Sequence, residues 1–453
     1  MSEPIKLKKT LGPLMLWGLG VGYVISGMYF GWNLGLPAGG TYGLAIAGLL
    51  ITIMYVTFVF SYTELATTIP RAGGAFDYAT IGLGRDVGFL GGMAQLIEFL
   101  FAPPAIAFAI GAYFQNFFPE APVLPIAIVA YFAFTILNIA GVKTAATFEL
   151  IITILAVAEL LIFAGMTLPH FKMENLTVNP APAGNIGIIA AIPFAIWFFL
   201  AIEGVANVAE EAKNPSRDVL IGFGSAIGTL VILAFLTFIS AVGVGGWEAI
   251  VYPNPADTAT VSDSPLPLAL KHITGDDALL FHMLITIGLF GLIASFHGII
   301  LAAGRATFEF GRVKYFPGAL GKVQKKFQTP ANALIFNMFV GIAALFTGKT
   351  GDIITISVFG ALLLYIISML SLFALRKKHP KIPRPFKVPM YPVFPAIALI
   401  IATVSFVALC FYYPIHALIF GALMGAGYAY FFFFVRARAE HHVHLHESLQ
   451  TAD

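Results

Sequence analysis

Charge is scarce in this chain of 453 residues: 25 Lys and Arg with 23 Asp and Glu make up 11% of it. The two signs nearly balance and no basic cluster is interleaved with aromatics, so a nucleic-acid partner is not expected. Cysteine is scarcer still, and one residue, Cys410, excludes a disulfide framework and any Cys-rich metal site. Zinc spacing, a nucleophile elbow and a paired-carboxylate cleft are missing, and neither a metal nor a cofactor is expected. Gly348-Lys349-Thr350 ends like a P-loop, but Ala343 stands where its first glycine belongs, in a short turn between apolar runs. Gly18-x-Gly20 is followed by Tyr23, which breaks a dinucleotide fingerprint. No constellation of an enzyme is present.

What is abundant is apolar surface, with 59% hydrophobic residues and a mean hydropathy of +0.89. Apolar runs of roughly 17 to 25 residues recur, each able to cross a hydrocarbon core about 30 Å thick. They predict an all-α membrane protein with twelve transmembrane helices, at 14–36, 42–67, 87–117, 122–141, 146–168, 186–211, 219–246, 280–309, 331–347, 352–375, 391–411 and 414–436. An even count puts both termini on one side. That side holds 22 of the 25 basic residues, with Lys172, Lys271 and Lys349 opposite, so both termini are expected in the cytoplasm. The apolar run after Lys9 is longer than a signal core and lacks a small-x-small cleavage site, so no cleaved leader is expected.

Two spans are interrupted, at matching places in the two halves. The first carries Gly18, Gly20, Gly22, Ser26, Gly27 and Gly31; the sixth reads Trp197-Phe198-Phe199-Leu200-Ala201-Ile202-Glu203-Gly204. Unwinding a helix in lipid exposes backbone groups that must bind something, so paired interruptions mark a carrier's substrate site. The first spans of the two halves enter from opposite sides, which predicts a five-plus-five inverted repeat (14–168 and 186–375) with an added helix pair (391–436). All of it forms one transmembrane domain over 1–436, followed by a polar cytoplasmic tail at 437–453 whose His441, His442, His444 and His446 carry no assigned role. The stretch 247–279 reads as an external acidic surface loop that can cover the outer mouth, and 310–326 as an amphipathic helix on the inner leaflet.

Ionisable groups inside spans need a reason, because each costs on the order of 2.5 to 3.5 kcal/mol at a helix centre. Glu98, Glu159 and Glu203 qualify, together with His297, and no Lys lies deep in any span. Buried acid without matching base suits a cationic substrate, a coupling proton or neutral structural carboxyls. Dipole direction assigns the ends of the substrate. The second half of span 1 is expected to start near Ser26 and Gly27 and to aim free N–H groups at the midplane, whereas the first half of span 6 ends near Trp197 to Leu200 and aims carbonyls there. Trp197, Phe198 and Phe199 add faces for an ammonium.

Three stretches resemble the amino acid/polyamine/organocation carriers: Tyr23-Val24-Ile25-Ser26-Gly27-Met28-Tyr29, Glu203 followed by Glu210-Glu211-Ala212-Lys213-Asn214-Pro215-Ser216-Arg217, and Ala294-Ser295-Phe296-His297-Gly298 with Ala302-Ala303-Gly304-Arg305. Within that superfamily Ser26-Gly27-Met28-Tyr29-Phe30-Gly31-Trp32-Asn33 and Phe386-Lys387-Val388-Pro389 look most like bacterial ethanolamine permeases. The resemblance implies a leucine-transporter-type fold and a bacterial inner-membrane location. It places the substrate amine against carbonyls of Tyr23, Trp197 and Leu200, with Trp197 as an aromatic gate and Glu203 as a gating or protonation residue. Tyr23, Val24, Ile25, Ser26, Gly27, Trp197, Phe198, Leu200 and Glu203 are thus the candidate substrate site, and Glu98, Glu159 and His297 candidates for cation recognition or proton coupling. Where amino acid carriers of the group read Gly-Ser-Gly this chain reads Ile25-Ser26-Gly27, a bulkier loop that argues for a small amine with a neutral polar end. The expected function is import of ethanolamine by alternating access, with or without a proton. An amino acid or polyamine carrier and a non-transporting amine sensor are the alternatives.

Overall fold

The computed structural model describes residue 7 and residues 9–275, 279–347 and 349–436. The tail histidines, Asp276 and Asp277 of the long loop, and Gly348 lie outside the described residues. The chain folds into α1 (Pro13–Tyr29), α2 (Leu36–Thr68), α3 (Ala75–Leu83), α4 (Arg85–Gln115), α5 (Val123–Ile139), α6 (Val142–Thr167), α7 (Ile186–Trp197) and α8 (Gly204–Asn207). The second half follows with α9 (Pro215–Gly245), α10 (Trp247–Val251), α11 (Pro265–Thr274), α12 (Leu279–Arg312), α13 (Ala331–Leu345), α14 (Thr350–Lys378), α15 (Val393–Tyr412) and α16 (Pro414–Tyr430). There is no strand among the described residues, so the fold is all-α. Among them, α2, α4, α6, α9, α12, α14, α15 and α16 provide eight stretches long and apolar enough to cross a membrane, and α1, α5, α7 and α13 are shorter apolar helices at the other expected positions.

Burial sorts these helices into centre and rim. The most apolar window of α12 is 89% buried and that of α14 83%, against 28% for α15 and 22% for α16. On α5, α15 and α16 large side chains such as Val129, Ile136, Phe411 and Leu418 point outward, the surface that lipid covers in a multi-pass membrane protein. Helix starts follow local chemistry. Pro13, Pro215 and Pro414 occupy first-turn positions, where a missing N–H is no loss. At α9 the Asp218 carboxylate also accepts the Asn214 N–H at 3.0 Å, which fixes where the chain re-enters a helix after Lys213.

Side-chain and backbone ties hold the ends. Buried Glu64 of α2 takes a two-pronged bond from Arg376 (2.8 and 2.6 Å) and the Val388 N–H at 2.7 Å, while Arg376 lies over the Tyr391 ring. The Phe386-Pro389 stretch is thereby anchored to α2. At the same face the segment before α1 runs beside the end of span 6: the Thr10 and Leu11 N–H groups donate to the Glu211 carbonyl (2.9 and 3.0 Å), and Lys213 N–H donates to the Leu11 carbonyl at 2.8 Å.

Two loops differ from expectation. The stretch 310–326 is no surface helix: α12 ends at Arg312, and the Tyr315 and Phe316 N–H groups fold back on the Phe310 carbonyl. Pro317, Gly318 and Gly321 oppose a helix there, and Val313 and Tyr315 are buried, the Tyr315 ring against Phe76, Phe89 and Phe310 rather than in lipid. The 247–275 loop is more than an acidic surface. It carries α10 and α11, and its Ser262 carbonyl accepts the Asn33 amide at 2.7 Å, just past the end of α1. Asp263 accepts from the Thr350 hydroxyl at 2.9 Å beside a cavity of about 410 Å³, and burial pushes its carboxyl up to about 6.

Candidate functional site

The interruption of span 6 is a six-residue gap between α7 and α8. Within it backbone N–H groups reach three residues back, Phe199 to Ile196 (2.9 Å) and Gly204 to Ala201 (3.0 Å). Ala201 sits at φ 74°, a left-handed conformation that costs of order 1–3 kcal/mol for a residue with a Cβ. Among the described residues no backbone N–H reaches the carbonyls of Trp197, Phe198 or Leu200. The gap therefore presents acceptors.

Next to them lies a pair of carboxyls. Glu203, fully buried, accepts the Tyr365 hydroxyl at 3.1 Å, and Tyr365 bonds Tyr55 at 2.9 Å. Glu98 of α4 lies against Glu203 and the Ala201 N–H. Neither Glu98 oxygen nor Glu203 Oε1 has a formed hydrogen bond, although all three are buried. Tyr55, Phe58, Phe199 and Tyr365 pack edge-to-face or tilted against one another, with Tyr365 bonded to Glu203. Two ionised carboxylates in contact repel, so the arrangement calls for a shared proton or a cation between them.

Helix 1 departs from expectation. α1 continues through Ser26 and Gly27 to Tyr29, and the chain breaks at Phe30, which is extended, and Gly31 at φ 87°. Ser295 of α12 intrudes on that stretch without ending it. Its hydroxyl accepts the Ser26 N–H at 2.8 Å and donates to the Gly22 carbonyl at 2.7 Å, entering the i→i−4 ladder as an extra link. A donor expected to face the midplane is thereby already taken.

The two interrupted elements meet at Trp197. A Cβ on Gly27 would stand 2.3 Å from the Trp197 carbonyl oxygen, and one on Gly31 2.4 Å from the indole. The indole also meets Phe30 edge-on, its N–H is buried without a partner, and Phe198 stacks on Trp32. Gly27, Trp197 and Phe198 thus belong to one closed junction, with Val24, Ile25 and Leu200 buried beside it.

The remaining candidates fall into two other clusters. Glu159 of α6 bonds the Tyr29 hydroxyl at the end of α1, and Tyr113 donates to the Tyr29 carbonyl at 3.0 Å. His297 Nδ1 is 2.7 Å from Oε2 of Glu149, both side chains fully buried. The ring of Tyr23 lies against Gly204 and Gly298, close to Glu149. Sequence reasoning missed Glu149 because it sits three residues inside the expected start of span 5, where a carboxylate reads as interfacial; α6 starts earlier, at Val142. Glu64 was missed likewise, three residues from the expected end of span 2. The only signal for either was its place inside an apolar run.

Comparison with known proteins adds the following. A family model described as amino acid permease matches residues 11–433. An uncharacterized transporter of Rhizobium meliloti is 29% identical over 90% of this chain and 88% of its own length. The methylthioribose transporter of Bacillus subtilis is 27% identical over 88% and 87%, and the low-affinity putrescine importer of Escherichia coli 26% identical over 84% of each.

Proposed function

The chain belongs to the amino acid permease family, among the amino acid/polyamine/organocation transporters, and from that premise we propose that it imports a small protonated amine, ethanolamine first, together with a proton. Import runs by alternating access through twelve crossings arranged as two inverted five-helix repeats with an added pair. The termini lie on the cytoplasmic side, the side of the basic loops, and the membrane is a bacterial inner membrane, as the family resemblance implies.

One observation carries the substrate class: Glu98 lies against Glu203 with three unpartnered carboxyl oxygens, at a gap where the carbonyls of Phe198 and Leu200 accept no backbone N–H. An ammonium supplies N–H donors and positive charge to all of these, and the surrounding rings favour a cation further. The other end of the substrate meets a poor carboxylate site. Ile25 replaces a glycine of the amino acid carriers, and the Ser26 N–H is already held by Ser295. A hydroxyl suits that end better than a carboxylate.

A second reading has its own support. Glu159, bonded to Tyr29 beside the α1 break, offers a further carboxyl for a second ammonium, and one relative is a putrescine importer. Uptake of labelled ethanolamine into proteoliposomes, competed by glycine and by putrescine, separates these readings. Ethanolamine uptake resistant to glycine supports the first, and putrescine as the strong competitor the second. Absent ethanolamine uptake with glycine transported overturns both. Binding without counterflow identifies an amine sensor.

A further inference from the structure

Apart from the junction at Trp197, the structure holds a second concentration of buried, unpaired polarity. Tyr23 Oη, Glu149 Oε1, His297 Nε2, both terminal nitrogens of Arg305 and Glu211 Oε2 are all buried without a hydrogen-bond partner. They form one chain of neighbours. Glu149 Oε1 is within 2.9 Å of where a Cβ on Gly298 would be, and the Tyr23 ring packs on the same glycine. Tyr23 is in electrostatic reach of Glu149, Arg305 and Glu211, and His297 of Arg305. Arg305 Nε bonds Glu211 Oε1 at 3.0 Å, both fully buried, at the end of span 6. Six orphaned polar atoms in a contiguous region are too many for a dry core, since each costs on the order of 1–3 kcal/mol unless water or an ion satisfies it.

We propose that Glu149 and His297 hold the coupling proton, and that Tyr23, Arg305 and Glu211 line the hydrated path by which it leaves at the face that carries the N-terminus. This rests on the proton-coupled reading above and names its site. The proton is neither made nor consumed: it binds on the Glu149 Oε2 and His297 Nδ1 pair and is later lost to water.

Charge and contact geometry supply the coupling. The groups facing the pair are Tyr23 from α1 and Arg305 from the same helix as His297, and Glu211 after α8 faces Tyr23 and Arg305 in turn. Arg305 and Glu211 neutralise each other, so the pair with its proton adds no net charge, whereas the pair without it leaves one uncompensated negative charge inside the membrane. The closed packing seen here therefore fits the loaded pair. Loss of the proton favours an arrangement that lets water in, and that means moving α1: Glu149 Oε1 would be 2.0 Å from a Cβ on Gly22, and Ser295, two residues before His297, is linked to Gly22 and Ser26. The same stretch of α1 runs on into Gly27 and the Trp197 junction, so proton and substrate act on one helix. Asn138 holds the His297 carbonyl at 3.1 Å and Phe134 and Phe148 flank the ring, which keeps the imidazole aimed at Glu149.

The test uses Glu149→Gln, which still accepts from His297 but exchanges no proton, and His297→Asn. In proteoliposomes one pH unit of gradient supports about tenfold accumulation of ethanolamine per coupled proton. Both variants should lose that accumulation while exchange of internal for external ethanolamine continues. Wild-type accumulation by Glu149→Gln overturns the proposal, as does parallel loss of accumulation and exchange in both variants, the mark of a purely structural pair. A second readout needs no substrate: pH-difference infrared spectra of the reconstituted protein should contain a protonated-carboxyl stretch that disappears in Glu149→Gln and titrates at a different pH in His297→Asn. A band unchanged in both variants overturns the proposal. If the wild-type protein moves no ethanolamine, the substrate reading alone fails and the spectra still decide.

Discussion

Gly27→Ala is the sharpest perturbation of the closed junction. The new Cβ would stand 2.3 Å from the Trp197 carbonyl oxygen, a backbone atom at the end of α7 that cannot rotate away. Ordinary contact begins near 3.4 Å, so α1 and α7 must part by about 1 Å, and overpacking of this kind costs typically 1–3 kcal/mol. Alanine's better helix propensity acts alike in the closed and open arrangements and cancels, so about 1–3 kcal/mol stands against closure, a factor of about 5 to 150. The assay places a reporter at Leu200→Cys in a Cys410→Ser background and measures its maleimide labelling rate together with uptake. Labelling should rise at least about fivefold and uptake should fall. Gly48→Ala, with nothing within 4 Å of its Cβ, serves as the control and should change neither. Labelling and uptake in Gly27→Ala equal to that control would refute the closed junction as the state that governs access.

Glu203→Gln removes a charged acceptor from the carboxyl pair and should weaken amine binding by about 1.5–3 kcal/mol, roughly 10- to 150-fold, seen as a higher half-saturation for uptake; unchanged affinity removes the residue from the site. Ser295→Ala strips the link between Gly22 and Ser26 and should lower thermal stability by about 1–3 kcal/mol, while Ser295→Thr, which keeps the hydroxyl, should recover much of the loss. Glu64→Ala leaves Arg376 without its carboxylate and should destabilise by on the order of 3–5 kcal/mol, read from the melting temperature in detergent. Asp263, pushed up to about 6 by burial, binds its proton more tightly folded than unfolded, so its share of loop stability is present at low pH and is lost as pH rises through about 6. Hydrogen exchange across 247–275, corrected for intrinsic rates, should therefore be slower at about pH 5 than at about pH 7, and Asp263→Asn should abolish the difference.

How much of this was legible in the sequence depends on the range of the interaction. The span 6 gap was readable because Glu203-Gly204 in an apolar run is a local signal, and α7 does end at Trp197. The end of α1 was misplaced by a few residues because several glycines of span 1 offer equivalent local break signals, and the hydroxyl that takes up the Ser26 N–H comes from Ser295, 269 positions away. Glu149 and Glu64 escaped notice for a related reason. Each is stabilised by a remote partner, His297 or Arg376, and without the partner a carboxylate close to a helix end looks solvated. The 310–326 stretch was misread because its amphipathic pattern is satisfied by an aromatic cluster inside the protein, which composition cannot tell from lipid.

The tie between the segment before α1 and the end of span 6 is made entirely of peptide groups: Thr10, Leu11 and Lys213 donate, and the carbonyls of Glu211 and Leu11 accept. No side chain takes part, so only proline, which has no N–H, removes a link directly. Leu11 and Glu211 are constrained for separate reasons, the first by its burial in the core and the second by its bond to Arg305. The two interrupted helices are yoked at this face through the main chain itself, and a force applied to either is delivered to both.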